Sequence, residues 1–376
     1  MYGEVVPAAA FVDRTDELRR LTADLGSAQK VFLISPRRYG KSSLIRRVLA
    51  SLERRGSLCV EVTVSSYSSY LAFLEGYARA VLTAATRWER AMTWVRQALG
   101  ATRPELRVEA DSSGAPMLAL SFPAAKGPQD LSRLAAEVFQ LPARLADERR
   151  RQVIVALDEF QAINAFNGGS VEESLRAAVQ HQRRVGYVFA GSEPSLMEQM
   201  LTPRRPFYKA GPVMRLDKIP SDQFARFIES RFVRSGVRTD PGFGLAVVEL
   251  AGQLPYDVQR LAHEVWDDAR GEGWKRVGLE HLHETLKRLL AEQSVVFEAA
   301  WQRLTLAQRA VLRAVVVEEG RELLSADVRG RHRLGGPSTV QGALAALVRQ
   351  DVIAREGPRY VVVDSLMREW IVRRTF

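Results

Sequence analysis

A chain of 376 residues with one cysteine, Cys59, can close no internal disulfide and build no cysteine-rich zinc site. That cysteine lies in the apolar run 59–64, which reads as a buried strand, so thiol redox chemistry is not expected. Histidine is almost as scarce, with five in all. His281 and His283 sit two apart in a helical stretch, where they point to different faces, and no acidic or cysteine cluster accompanies them. A histidine-based metal centre is therefore not expected. Long apolar runs are missing as well. No window reaches the roughly 18 uninterrupted apolar residues of a membrane helix. The opening MYGEVVPAAAFVDR has neither the basic region nor the apolar stretch of a signal peptide. The expected location is cytoplasmic. Lysine is the last shortage, with seven among 54 basic residues. The arginines that make up the rest suit phosphate and nucleic-acid contacts, because the guanidinium fork matches phosphate oxygens. GC-rich codon usage would give the same composition.

What is present is an ordinary globular composition, 46% hydrophobic, 26% charged and 8% aromatic, with a formal net charge of +10. It excludes disorder, collagen-like repeats and a disulfide scaffold. The length exceeds what one core serves and points to two or three domains. Runs rich in valine, isoleucine and leucine recur at 31–34, 59–64, 153–157, 187–190 and 213–216, each nearly continuous, as strands covered on both faces would be. Helically spaced stretches lie between them at 42–53, 69–99, 131–149 and 172–183. The fold class is α/β, a parallel sheet with helices on both faces. Residues 100–130 interrupt the pattern with proline, glycine and serine and a hairpin at 106–122, expected as an insertion on the sheet edge. After about Pro220 the strands stop and helical periodicity takes over at 224–233, 243–250, 258–270 and 279–290. From Trp301 the order is helix (306–317), helix (325–333), a Gly-Gly-Pro turn, helix (338–350) and two short strands around Gly357-Pro358, the order of a winged helix-turn-helix. The expected domains are 1–218, 219–298 and 299–376.

The first strand runs directly into Ser35-Pro36-Arg37-Arg38-Tyr39-Gly40-Lys41-Ser42-Ser43, with a helix opening at Ser42. A tight loop between strand and helix makes a phosphate cradle. Its backbone N–H groups and the helix dipole face the anion, Lys41 reaches the terminal phosphates, and the Ser42 hydroxyl coordinates magnesium. The strict pattern opens with glycine where this chain has Ser35. Serine before Pro36 makes the turn if its φ is negative, whereas a left-handed φ would cost about 1 kcal/mol or more. Such a loop also needs a carboxylate at the end of a buried strand for magnesium, often followed by a second that polarises the attacking water. The run 153–160 supplies both, Asp158 for magnesium and Glu159 as general base. Ser192 ends the next strand, where it either touches the γ-phosphate or the lytic water, or caps a helix.

These residues resemble an archaeal-type ATPase of the AAA+/STAND group of P-loop NTPases. The resemblance rests on Phe11-Val12-Asp13-Arg14-Thr15-Asp16-Glu17-Leu18, on the Pro-Arg-Arg-x-Gly-Lys-Ser-Ser-Leu loop, on Leu157-Asp158-Glu159-Phe160, on Gly191-Ser192 and on Gly252-x-x-Pro255. Together they span most of the first 260 residues. The resemblance implies an ATPase using ATP and Mg2+, with an ASCE/AAA+-like sheet in which the acidic strand is not adjacent to the P-loop strand. It places the segment carrying Phe11 and Arg14 beside the adenine. It makes the helical region with Gly252 and Pro255 a lid over the nucleotide. Where the family often has Gly-Arg after an aromatic, this chain has Phe207-Tyr208-Lys209-Ala210, so a γ-phosphate sensor stays open among Arg204, Arg205 and Lys209.

The resemblance continues through residues 360–370, which look like the wing and closing helix that such ATPases carry. Residues 301–376 hold 13 arginines against 8 acids, half of the chain's excess charge in a fifth of its length. Arg329, Arg331 and Arg333 precede a third helix that offers Ser338, Thr339, Gln341 and Arg349. That set favours phosphate contacts over base reading, and an internal packing module fits equally. Trp266, Trp301 and Trp370 read as core anchors. The leading function is an ATP-hydrolysing switch that couples nucleotide state to lid and winged-helix position. The alternative is an ATP-regulated DNA-binding protein, initiator-like or transposition-adaptor-like, with little turnover. A protein partner and oligomer formation stay open.

Overall fold

The computed structural model describes residues 14–85, 105–110, 116–123, 127–166 and 169–375. The chain divides into two compact units between Asp217 and Lys218. The strands of the first, in chain order, are β1 (Lys30–Ile34), β2 (Leu58–Thr63), β3 (Glu105–Ala110), β4 (Pro116–Ser121), β5 (Val153–Asp158), β6 (Val185–Gly191) and β7 (Val213–Arg215). Five of them form a parallel sheet in the order β2-β5-β6-β1-β7.

Every residue of β5 and β6 is buried, which explains their unbroken apolar sequence: helices cover both faces. Side chains alternate between those faces along β1. Val31 and Leu33 pack with Leu21, Leu25, Leu44 and Val48 of α1 (Thr15–Gly26) and α2 (Lys41–Arg54). Phe32 and Ile34 face the opposite layer, which includes α3 (Tyr70–Ala85). There Phe32 stacks on Phe189 at 4.9 Å between ring centroids. The acidic strand β5 is separated from β1 by β6, the arrangement that the resemblance implies. The C-terminal ends of β1, β5 and β6 therefore come together along one edge of the sheet.

The hairpin of β3 and β4 does not extend the central sheet, as an edge insertion would; it forms a two-stranded antiparallel sheet of its own. Its exit is anchored elsewhere. Phe122 is buried in the layer shared with α3, and its N–H donates to Glu75 Oε1 at 3.1 Å. Of the expected helix at 69–99, residues 86–99 lie outside the described residues, as does the hairpin turn at 111–114. The expected helix at 131–149 is two helices, Pro128–Val138 and Leu141–Arg149. Pro142 stands in the first turn of the second, where its missing N–H costs nothing.

The second unit begins with helices Ser221–Arg234, Phe243–Leu250, Pro255–Gly271 and Leu279–Gln302. Strands do not stop altogether after Pro220: Arg238–Thr239 pairs in parallel with Arg276–Val277. This short ladder ties together the entries to two helices, with Asp240 N–H donating to Val277 O at 2.8 Å. The 24-residue helix Leu279–Gln302 is continuous through positions 298 and 299. It carries Phe297 and Trp301 against Trp370, at 6.1 and 6.0 Å.

Helices Leu306–Val317, Ala326–Arg331 and Pro337–Arg349, strands Ile353–Glu356 and Arg359–Val362, and helix Ser365–Thr375 complete the winged helix. Thr305 and Gln308 form a reciprocal capping box at its first helix. Gly320, at φ +71°, lets the second strand approach, since a Cβ there would collide with Tyr360 O. Among the described residues, no helix is long and apolar enough to cross a membrane.

Candidate functional site

Ser35 is fully buried at the end of β1, its N–H donating to Gly191 O at 3.2 Å and its hydroxyl to Pro36 O at 2.9 Å. It is not among the left-handed residues. Those in the loop are Arg38, at φ +67°, and Gly40, at φ +86°. Serine in place of glycine is thus free of backbone strain at this position, and the strain of about 1 kcal/mol falls on Arg38 instead. Pro36 is half-buried, Arg37 and Arg38 are exposed, and Tyr39 is buried. Gly40 caps α2. The first-turn N–H groups at Lys41, Ser42 and Ser43 therefore lack earlier helical carbonyls and stand at the positive end of the helix.

Arg14 is buried just before α1. Its Nη2 donates to Tyr39 O at 3.0 Å and to Asp217 O at 2.7 Å, while Nη1 meets Glu17 Oε1 at 3.0 Å. Burial pushes the guanidinium below its ordinary pKa, with Glu17 opposing. Arg14 thus braces the phosphate-type loop through main-chain carbonyls, a role the sequence did not suggest. Phe11 lies outside the described residues.

Lys41 is buried, and its ammonium pairs with Asp158 Oδ1 and lies 3.3 Å from Glu159 Oε1. The Ser42 hydroxyl donates to Asp158 Oδ2 at 2.9 Å. Glu159 adopts a left-handed φ of +52° at the end of β5 and donates its N–H to Asp158 Oδ1 at 2.9 Å. Its Oε2 accepts from the Ser192 hydroxyl at 2.5 Å and from Gln161 Nε2 at 2.6 Å. Burial alone would raise the Glu159 carboxyl, but Ser192, Lys41 and Gln161 outweigh it and hold the group below its ordinary value. Gln161 and Glu193, whose Oε1 lies 3.4 Å from Gln161 Nε2, belong to this cluster and were not read from the sequence. A glutamine two positions past a strand-end carboxylate leaves no periodic signal.

The structure therefore gathers Ser35, Lys41, Ser42, Asp158, Glu159 and Ser192 at one sheet edge. Hard oxygen donors on Ser42 and Asp158 are of the kind that magnesium takes, and the loop N–H groups with Lys41 are of the kind that phosphate takes. The residues fit both groups. Among the described residues, no set of three or more His, Cys, Asp or Glu could hold a metal ion by itself. His281 Nδ1 accepts from Gly278 N–H at 3.2 Å.

Of the three sensor candidates, Arg205 is engaged with the fully buried Glu172 and with Asn164 Oδ1 at 2.8 Å. Arg204 and Lys209 are exposed at left-handed φ, and Lys209 Nζ lies 5.3 Å from the centre of the Tyr208 ring. Pro255 belongs to the second unit and opens helix Pro255–Gly271 after a turn in which Gly252 and Gln253 both have left-handed φ.

Residues 11–260 match the family described as an ATPase domain predominantly from Archaea. The chain belongs to that family. Residues 295–373 of this ATPase match a probable winged helix domain. Its fold is similar to that of a Walker-type ATPase of Pyrococcus abyssi, at TM-score 0.63 and 16% identity, with 96% of each chain covered. It is also similar to two Aeropyrum pernix proteins, with 99% of this chain and 97% of theirs covered. They are ORC2, described in ADPNP–ADP complexes (TM-score 0.54, 14% identity), and ORC1, in complex with DNA (TM-score 0.52, 17% identity). No curated protein matches the sequence. The protein is a nucleotide-binding ATPase of P-loop, AAA+-like architecture with a carboxy-terminal winged helix.

Proposed function

We propose that this ATPase is a magnesium-dependent switch that hydrolyses ATP. The observation that carries the reading is the convergence of Lys41, Ser42, Asp158, Glu159 and Ser192 at one sheet edge. Residues 35–43 cradle the phosphates, Lys41 reaches their terminal oxygens, and Ser42 with Asp158 holds the metal. Magnesium supplies neutralisation of charge on the phosphate oxygens. Glu159 takes the proton of the attacking water, and Ser192 orients the site. The buried Lys41 ammonium is satisfied by two carboxylates, so its charge is not left alone. Residues 219–298, with Gly252 and Pro255, act as a lid, and the winged helix at 299–376 moves with it. Nucleotide shifts such an equilibrium only by its differential affinity for the two arrangements.

Two variants test the scheme. Lys41→Ala is expected to lose Mg·ATP binding in calorimetry, and Glu159→Gln to bind ATP yet stop hydrolysing it. Equal turnover by the wild type and Glu159→Gln would reject the base assignment.

The winged helix, and likeness to an ORC1 protein solved with DNA, favour a second reading in which ATP regulates DNA binding. Two of the relevant arginines are internally engaged: Arg331 with Glu318 and Asp327, and Arg359 with Glu356. The third helix exposes the neutral Ser338, Thr339 and Gln341. DNA would thus be held through phosphates, giving a steep fall of log affinity with log salt. Flat or absent binding in a gel shift at ~50 mM salt would remove this reading.

A further inference from the structure

We propose that Gln161 is a positioning residue for hydrolysis, pinning one oxygen of Glu159 so that the other is presented to the reacting water. The inference rests on the reading of Glu159 as the base. Gln161 lies in the short 3-10 turn Phe160–Ala165 directly behind the acidic strand and is buried. Its amide donates to Glu159 Oε2, the same oxygen that takes the Ser192 hydroxyl. Oε1 instead faces the Lys41 ammonium at 3.3 Å. The two oxygens therefore differ in kind. The partners of Oε2 belong to the protein's fixed frame, whereas the partner of Oε1 is the side chain that a phosphate would draw away. A carboxylate oxygen that already accepts two hydrogen bonds has little capacity for a third. The proton acceptor is accordingly Oε1.

The amide of Gln161 is not explained by packing. Its Oε1 is buried with no hydrogen-bond partner among the described residues, and it lies 2.7 Å from where a Cβ on Gly191 would stand. An unpaired buried oxygen costs stability, so a position selected only to fill space would be better served by methionine or leucine. The charged groups around Glu159 are Lys41, Asp158 and Glu193, the last also within 3.4 Å of the Gln161 amide. Gln161 keeps the carboxylate aligned among them.

The test uses the full chain and two variants. Gln161→Met keeps the volume and removes the amide; Gln161→Asn keeps the amide but withdraws it by one methylene. In Gln161→Met, kcat is expected to fall about tenfold or more, with KM for ATP and the calorimetric affinity for ADP unchanged within about threefold. Gln161→Asn should fall in between, and it carries the same kcat-against-KM split if the Met variant does not fold. Wild-type kcat in either variant, or a loss of ADP affinity as large as the loss of kcat, would overturn the proposal. Glu159→Gln separates the two levels. Full turnover there sinks the base reading and this inference together. An inactive Glu159→Gln beside a fully active Gln161→Met sinks this inference alone.

Discussion

The guanidinium of Arg14 donates to the carbonyl of Tyr39 at 3.0 Å, joining residues 25 apart in sequence. The same nitrogen reaches Asp217 O, 203 residues away, so one buried cation ties the loop to the end of the first unit. Removing it leaves two carbonyls without their charged donor. Arg14→Met is expected to destabilise the protein by about 2 kcal/mol in urea unfolding, within the range for hydrogen bonds to charged groups. It should weaken ATP several-fold by loosening the loop. Loss of ATP affinity with unchanged stability would instead place Arg14 against the nucleotide.

Arg205 and Glu172 make a pH-dependent prediction. Burial raises the Glu172 carboxyl in the folded protein, and Arg205 opposes the shift. Ionisation of Glu172 therefore costs folding energy. The cost is absent below the unfolded carboxylate range and grows as pH rises toward the folded pKa. Arg205→Met removes the opposing charge. The expected loss is about 2 kcal/mol at pH 7, below the value for a fully buried pair because Arg205 is one-third exposed. It should shrink toward pH 5. Equal losses in urea unfolding at both pH values would refute the account. Unchanged ATP turnover in the variant would also remove Arg205 as a phosphate sensor.

Much of the fold was legible because its strands are buried on both faces: β5 and β6 carry no polar alternation, so their apolar runs stand out. The loop 35–43 and the Asp158–Glu159 pair were legible because each sits where a strand ends. What escaped had no local pattern. The ladder between Arg238–Thr239 and Arg276–Val277 is two residues long on each side, too short for alternation to register. The hairpin's separation from the central sheet depends on where Phe122 is buried and on the Glu75 contact to its N–H. Arg14 bonds to main-chain carbonyls, which carry no sequence signature. Gln161 is significant only because the chain turns at a left-handed Glu159.

In the second unit, Lys218 Nζ lies 3.1 Å from both Gly252 O and Glu356 Oε1, and Arg368 Nη2 lies 3.2 Å from Leu250 O. Two parts of the winged helix thus brace a turn that contains consecutive left-handed residues, Gly252 and Gln253. Glu356→Gln and Arg368→Ala are each expected to cost about 1 kcal/mol, as partly exposed polar contacts do. Because both act on one strained segment, the double variant should depart from the sum by at least about 0.5 kcal/mol. Strict additivity in denaturant unfolding would show that the two contacts are independent.

Cys59 offers a reporter on the first unit. It is half-buried in β2, its thiol facing Leu49 O at 3.5 Å, and burial with the nearby Glu53 pushes its pKa up to about 12. At pH 8 the thiolate fraction is then on the order of one in ten thousand, and the thiolate is the reactive form. A thiol reagent should modify Cys59 promptly in urea and very slowly in the native protein; rapid native labelling would contradict the burial. Where that slow native labelling runs through opening of the fold, ATP bound only by the folded state must suppress it. At a free ATP concentration of about 100 times Kd, labelling is expected to slow about 100-fold, the mass-action factor for a ligand absent from the unfolded state. An unchanged labelling rate at saturating ATP would mean that Cys59 reacts without global unfolding.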